Sequence, residues 1–304
     1  MGTIGFGEHS THKSLHVLNR KFEVGQDADG CYVDVIPDDR HAEKGMEELG
    51  LKGAKLKPST TPREKVKDEI VFAGARTPKL DKAGQTAYRS VAMRISYLSH
   101  DRGDLAELAK YLAQKMSSPT EYDFTVLKRA ARYLLGRPKA RLRYREQPFP
   151  DHIMMYSDAD WAGCPITRKS TTGMVCFLGS HCLKLGSTLQ SLISLSVGES
   201  ESYALVKTFC VGNSIQSLCA DLGLYLKLRI RSDPSTAHSI TNRLGVARTK
   251  HMDSRYLWVQ DCVQAGRLSC QHWPGRKNPA DVGTKPVSRA DLDRHCAKTG
   301  LLFL

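Results

Sequence analysis

The chain has 304 residues, a quarter of them charged, with 45 Lys and Arg against 32 Asp and Glu for a formal charge of +13. That length can bury two modest cores, and the basic excess attracts polyanions such as nucleic acids without identifying one. No apolar run is long enough to cross a membrane, the opening Met1-Gly2-Thr3-Ile4-Gly5-Phe6 carries neither a signal core nor a myristoylation signal, and the nine scattered cysteines lack Cys-x-x-Cys spacing. They read as reduced thiols of an intracellular protein, cytoplasmic or nuclear, without a membrane partner.

Residues 1–70 are polar and Lys-rich, with one strand-like patch at Cys31–Val35 and a turn-rich end at Lys57-Pro58-Ser59-Thr60-Thr61-Pro62. This segment reads as a truncated remnant unable to fold alone. Residues 71–148 read as helical: Val91, Ile95 and Leu98, then Leu105, Leu108 and Leu112, then Phe124, Leu127, Ala131 and Leu134 recur at helical spacing. Three prolines, Pro138, Pro148 and Pro150, make a charged linker of residues 137–151. Across 149–290 the pattern predicts strands at 152–158, 173–178 and 182–188, a helix over 197–219, and a strand over 228–232. A helix near Pro234, a helix over 254–265, a strand over 268–273 and a last helix follow, with residues 291–304 left as a tail.

Four carboxylates occupy distinct places in this order. Asp158 ends the strand His152-Ile153-Met154-Met155-Tyr156-Ser157-Asp158, and Glu201 lies near a helix start. Asp233 closes a second strand, and Asp281 follows Pro279, a residue suited to opening a helix. Any one of them alone reads as a turn, cap or solvated-face residue. Several like charges meeting in one cleft are tolerable when a cation neutralises them, and oxygen clusters of this kind hold paired divalent metals.

The same residues carry a family resemblance. Tyr156-Ser157-Asp158-Ala159-Asp160-Trp161-Ala162-Gly163, Arg168-Lys169-Ser170-Thr171-Thr172-Gly173, Gly198-Glu199-Ser200-Glu201-Ser202-Tyr203-Ala204-Leu205, Thr249-Lys250-His251-Met252-Asp253 and Asn278-Pro279-Ala280-Asp281-Val282-Gly283-Thr284-Lys285-Pro286 resemble the ribonuclease H domain closing copia-type retrotransposon polyproteins. Upstream, Tyr88-Arg89-Ser90, Met116-Ser117-Ser118-Pro119-Thr120 and Leu127–Leu134 resemble the region beyond the polymerase site of the same polyproteins. The resemblance implies an α/β fold, a ribonuclease H-like mixed five-stranded sheet flanked by helices, preceded by a mainly helical thumb/connection fragment of a reverse transcriptase. It implies two Mg²⁺ ions, with Mn²⁺ as a substitute, held by Asp158, Glu201, Asp233 and Asp281. The substrate would be an RNA–DNA hybrid cut in its RNA strand, with a polymerase-bearing Pol fragment as a possible partner. The family register selects Glu201 over Glu199 and Asp158 over Asp160, which stays in reserve. Positions two apart on a helix also face nearly opposite sides, so Glu199 and Glu201 cannot share the role.

Tyr32-Val33-Asp34 is similar to the Tyr-x-Asp-Asp turn of a polymerase, but Val35 follows and too little chain precedes it, so no polymerase activity is expected. Lys128, Arg129, Arg132, Arg137, Lys139, Arg141, Arg143 and Arg145 crowd into one stretch with Tyr133 and Tyr144, a composition that binds phosphate backbones or makes a solvated face. Lys128, Arg129 and Arg132 are the candidates here, and Arg168, Lys169, Ser170 and Thr171 are candidates nearer the acids, where an ordinary turn is the alternative. A catalytically inactive nucleic-acid-binding fragment of a decayed element is the rival reading. Pro234 after Asp233 is a departure from the family pattern that restricts the acid's backbone.

Overall fold

Alternating residues in the amino-terminal third build strands that the charge pattern conceals. The computed structural model describes residues 13–51, 56–232 and 254–304, and the chain divides into two units, Met1–Gln147 with Pro286–Leu304, and Pro148–Lys285. In the first unit, β1 (Ser14–Val17), β2 (Arg20–Asp27), β3 (Gly30–Ile36), β4 (Ala140–Arg145) and β10 (Leu301–Phe303) form an antiparallel sheet in the order β1-β2-β3-β4-β10. Residues 13–51 and the carboxy-terminal segment thus share one unit with the helices, rather than standing apart as remnant and tail.

The segment expected as a linker contains β4. Its alternation puts Arg141, Arg143 and Arg145 on one face and Leu142 and Tyr144 on the other. Buried Asp34, directly opposite Arg143, accepts from Arg143 Nε and from Arg141 Nη1, both at 2.8 Å. Asp27 bridges Arg143 and Arg145 at 3.1 and 2.8 Å. Three like charges on one strand face are stable because these aspartates neutralise them.

Helices α1 (Arg40–Glu48), α2 (Asp68–Ala75), α3 (Lys82–Leu98), α4 (Ala106–Gln114), α5 (Glu121–Gly136) and α8 (Arg289–Lys298) complete this unit. Asp81 caps α3, and Thr120 with Asp123 forms a capping box on α5, satisfying backbone donors that have no partner within the helix. Of the residues at helical spacing, Val91, Ile95, Leu98, Leu105, Leu108, Leu112, Leu127, Ala131 and Leu134 are buried, while Phe124 is half-buried.

The second unit is a ribonuclease H-like α/β arrangement. Strands β5 (His152–Asp160), β6 (Thr171–Leu178) and β7 (His181–Leu189) make an antiparallel meander, α6 (Val197–Asp221) follows, and β8 (Lys227–Ser232) lies parallel to β5. After α7 (Ser254–Gln264), β9 (Ser269–His272) joins parallel to β8, giving the mixed order β7-β6-β5-β8-β9. Alternation along β5 sends Ile153 and Met155 into a core with Leu205, Phe209, Ile230, Val259 and Cys262, while Met154 and Tyr156 pack with Val175, Phe177 and Ala280. All nine cysteines are free thiols. Among the described residues, no helix is long and apolar enough to cross a membrane.

The helix expected after Pro279 is instead a 3₁₀ turn, Pro279–Gly283. Pro286 disfavours helical geometry at Lys285, so an α-helix has no room to continue. The helix expected near Pro234 lies outside the described residues.

Candidate active site

The site grows from the carboxyl end of β5, where the central strand delivers Asp158 into a buried position. The 3₁₀ turn is fastened to β5 at that acid and at the residue before it. Asn278, buried, donates through Nδ2 to the Ser157 carbonyl at 2.9 Å and accepts at Oδ1 from the Ala280 amide at 3.1 Å. Thr284 Oγ1 stands 3.0 Å from Asp158 Oδ2 and 2.9 Å from the Asp281 carbonyl, so one hydroxyl links the two acid-bearing segments. Glycine at 173, opposite Asp158 in β6, makes the approach possible: a Cβ there would stand 2.3 Å from the Ala280 carbonyl oxygen.

From the other side, α6 brings Glu201, also buried, whose Oε1 accepts from the Ala159 amide at 3.1 Å. Glu199 has a different task. Ser196 caps α6 by accepting from the Glu199 amide, and Glu199 reaches back to the Leu195 amide at 2.7 Å and also accepts from the Tyr203 hydroxyl. Its carboxylate is thus tied to the start of its own helix and the residue before the cap.

Lys285 lies within this acidic setting. Its Nζ is 2.6 Å from Asp281 Oδ1. Burial works against the ammonium, but the hydrogen bond and charge of Asp281, with the charges of Asp158 and Asp160, outweigh it and raise its pKa. Asp160 itself packs so closely on Gly163 that a Cβ at 163 would overlap its carboxylate.

Glu201 is thus bonded to the backbone just after Asp158, and Thr284 links Asp158 to the turn that carries Asp281. Asp233 lies outside the described residues, as does the Thr249–Asp253 segment with His251; Ser232, just before Asp233, pairs with Ser157, just before Asp158. Carboxylate oxygens are the donor type that hard divalent ions such as Mg²⁺ take. Among the described residues, no three His, Cys, Asp or Glu side chains are grouped closely enough to hold one as they stand.

The candidates for nucleic-acid contact separate by burial. Arg168 is exposed, in a left-handed conformation at φ 57°, and Lys169 is half-buried. Ser170 and Thr171 are turned inward, contrary to their expected contact with substrate: Ser170 Oγ accepts from the Ala162 amide at 3.0 Å, and Thr171 begins β6 opposite Asp160. Entering a buried strand of the sheet withdraws both hydroxyls. On α5, Lys128 is exposed and lies over the Phe124 ring, and Arg132 is half-buried. Arg129 pairs with Glu64 at 3.0 Å and bonds Thr61. Arg137, Arg141, Arg143 and Arg145 are likewise held by Asp293, Asp34 and Asp27, so much of the basic stretch serves the fold.

Reading residue types singly misses Asn278, Thr284, Lys285 and Gly173. All four fall inside segments that carry the family resemblance, but nothing in their local spacing announces that they lock the turn to the sheet.

No family model matches the chain. Over 301 residues, 95% of the chain, it is 27% identical to the retrovirus-related Pol polyprotein from transposon RE2 of Arabidopsis thaliana, of which it covers 20%. The chain thus spans about a fifth of the length of that relative. It is 31% identical over 170 residues to an uncharacterized mitochondrial protein of the same plant, AtMg00810, covering 56% of the chain and 67% of that protein. Among solved structures, the foamy viral protease-reverse transcriptase in complex with dsDNA superposes with a TM-score of 0.50 at 11% identity, over 87% of the chain and 45% of the viral one, a likeness of fold. With its motifs, its mixed sheet and its relatives in agreement, the chain has retrovirus-related Pol polyproteins of transposons as its homologues.

Proposed function

We propose that the second unit is a metal-dependent ribonuclease H-type endonuclease that hydrolyses the RNA strand of an RNA–DNA hybrid, leaving a 5′-phosphate and a 3′-hydroxyl. The carrying observation is the convergence on β5: Glu201 from α6 and the turn bearing Asp281 both bond to backbone or side chain at residues 157–159. With Asp233 as the fourth acid, these carboxylates would hold two Mg²⁺ ions, or Mn²⁺ in their place. Bound there, the ions would supply activation of water on one side of the phosphodiester and stabilisation of the leaving oxygen on the other.

The chain's own residues orient and hold. Asn278 and Thr284 keep Asp281 and Asp158 in fixed relation, which spares the site reorganisation as charge develops. Exposed Arg168, with Lys169, would meet a backbone phosphate of the substrate. On the first unit, Lys128 and Arg132 would offer phosphate contacts of their own, while a polymerase-bearing Pol fragment would supply the DNA synthesis that creates such a hybrid.

Cleavage of a labelled RNA–DNA hybrid in Mg²⁺ tests the proposal, comparing wild type with Asp158→Asn and Glu201→Gln. Metal ions supply several kcal/mol of transition-state stabilisation, so each variant should cut at least about a hundredfold more slowly. A folded wild type that binds hybrid without cutting it would refute this reading in favour of the inactive nucleic-acid-binding fragment. The pairing of Asp281 with Lys285 is the observation that keeps that second reading in play.

A further inference from the structure

We propose that Lys285 is the resident counter-cation of the acidic site, holding Asp281 in the metal-free protein and yielding when a divalent ion arrives, so that this lysine sets how tightly the site takes metal. The inference rests on the reading of the acids as metal ligands. Lys285 Nζ lies 2.6 Å from Asp281 Oδ1, with the two side chains 41% and 31% exposed, so the pair is withdrawn from solvent without being sealed off. Asp158 and Asp160, both on β5, act on the same ammonium. One positive charge from the chain therefore answers carboxylates from two separate elements.

Carboxylates gathered in a cleft repel one another and demand a cation, and the chain furnishes a monovalent one where an ion would bring two charges. Asp281 Oδ1 is engaged by the lysine. An arriving ion must compete for Asp281 and is repelled by the ammonium beside it. The lysine has a way out, since a flexible four-carbon stem on a partly exposed residue can carry its head into water. The cost of that displacement is subtracted from the site's affinity for metal.

Mn²⁺ binding by the full chain, followed through the electron paramagnetic resonance signal of free Mn²⁺, reads this without reference to cleavage. Lys285→Met should bind Mn²⁺ about tenfold more tightly than wild type, equivalent to about 1.4 kcal/mol. Lys285→Arg, which keeps the charge, should stay close to wild type, and Asp158→Asn should weaken binding in either background. Without metal, Lys285→Met should melt at a lower temperature, with Mn²⁺ restoring more of its stability than it adds to wild type. Lys285→Gln serves as the neutral variant if the Met protein does not fold. Unchanged or weaker Mn²⁺ binding in the neutral variants, with Asp158→Asn still harmful, would overturn the role of the lysine and leave the acids as ligands. Binding indifferent to Asp158→Asn would overturn the metal reading itself, and the proposal with it.

Discussion

Replacing Gly173 by Ala asks whether one missing methyl group holds the site together. The added Cβ would stand 2.3 Å from the Ala280 carbonyl oxygen and 2.7 Å from Thr284 Cγ2, where ordinary contact begins at 3.4 Å. The nearer obstacle is backbone, so it cannot rotate aside, and the 3₁₀ turn must retreat by about 1 Å. A shift of that size stretches the Thr284–Asp158 contact from 3.0 Å and the Asn278–Ser157 bond from 2.9 Å past useful hydrogen-bond length. Overpacking costs roughly 1–3 kcal/mol and each of the two lost hydrogen bonds about 1 kcal/mol, so the second unit should lose roughly 3–5 kcal/mol. A misplacement of about 1 Å should also slow hybrid cleavage by roughly a hundredfold. All three tryptophans, Trp161, Trp258 and Trp273, lie in the second unit, so their fluorescence during urea unfolding reports on it selectively. If Gly173→Ala keeps both the urea midpoint and the cleavage rate of wild type, close approach at Gly173 does not position Asp281.

Other changes separate folding from function. Asn278→Ala removes both side-chain bonds of that residue and takes one donor from the buried Ser157 carbonyl; the expected loss is about 1–3 kcal/mol by urea unfolding, together with slower cleavage. For Asp34, burial favours the neutral acid, but Arg143 and Arg141 outweigh it and hold its pKa below the ordinary 3.8. The unfolded chain therefore binds the proton first, so this contribution to stability is full above about pH 4 and is lost as the pH falls through the lowered folded value. Asp34→Asn should cost roughly 3–5 kcal/mol at neutral pH and flatten the fall in stability below about pH 4, read by far-ultraviolet circular dichroism in urea; an unaltered pH profile would contradict the role of the Arg141–Asp34–Arg143 cluster. Lys128→Ala should leave stability within about 0.5 kcal/mol yet reduce the salt slope of hybrid binding by about one, measured by fluorescence anisotropy. Arg143→Ala should instead lower stability, because its guanidinium is committed to Asp34.

The periods of two and 3.6 in the sequence already place most elements of the second unit and the apolar faces of α3, α4 and α5, because burial of a repeating face is a local property of strand or helix. The order of the acids and the motifs around them likewise mark the family and the candidate site. What local pattern could not supply depends on residues distant in the chain. Arg141-Leu142-Arg143-Tyr144-Arg145 passes for a charged linker until Asp34, 109 residues from Arg143, neutralises it as a strand. Helical spacing already separates Glu199 from Glu201, but that the Leu195 amide donates to the one and the Ala159 amide to the other emerges only in the fold. The turn after Pro279 resembles a helix start, yet it is held as a 3₁₀ turn by its fit over Gly173 and by Thr284 reaching Asp158 across 126 residues. Residue types thus determine which side chains can bond or bind metal, while the tertiary structure alone decides which of them meet, since charge neutralisation and close backbone approach are settled by partners that the chain brings together only when folded.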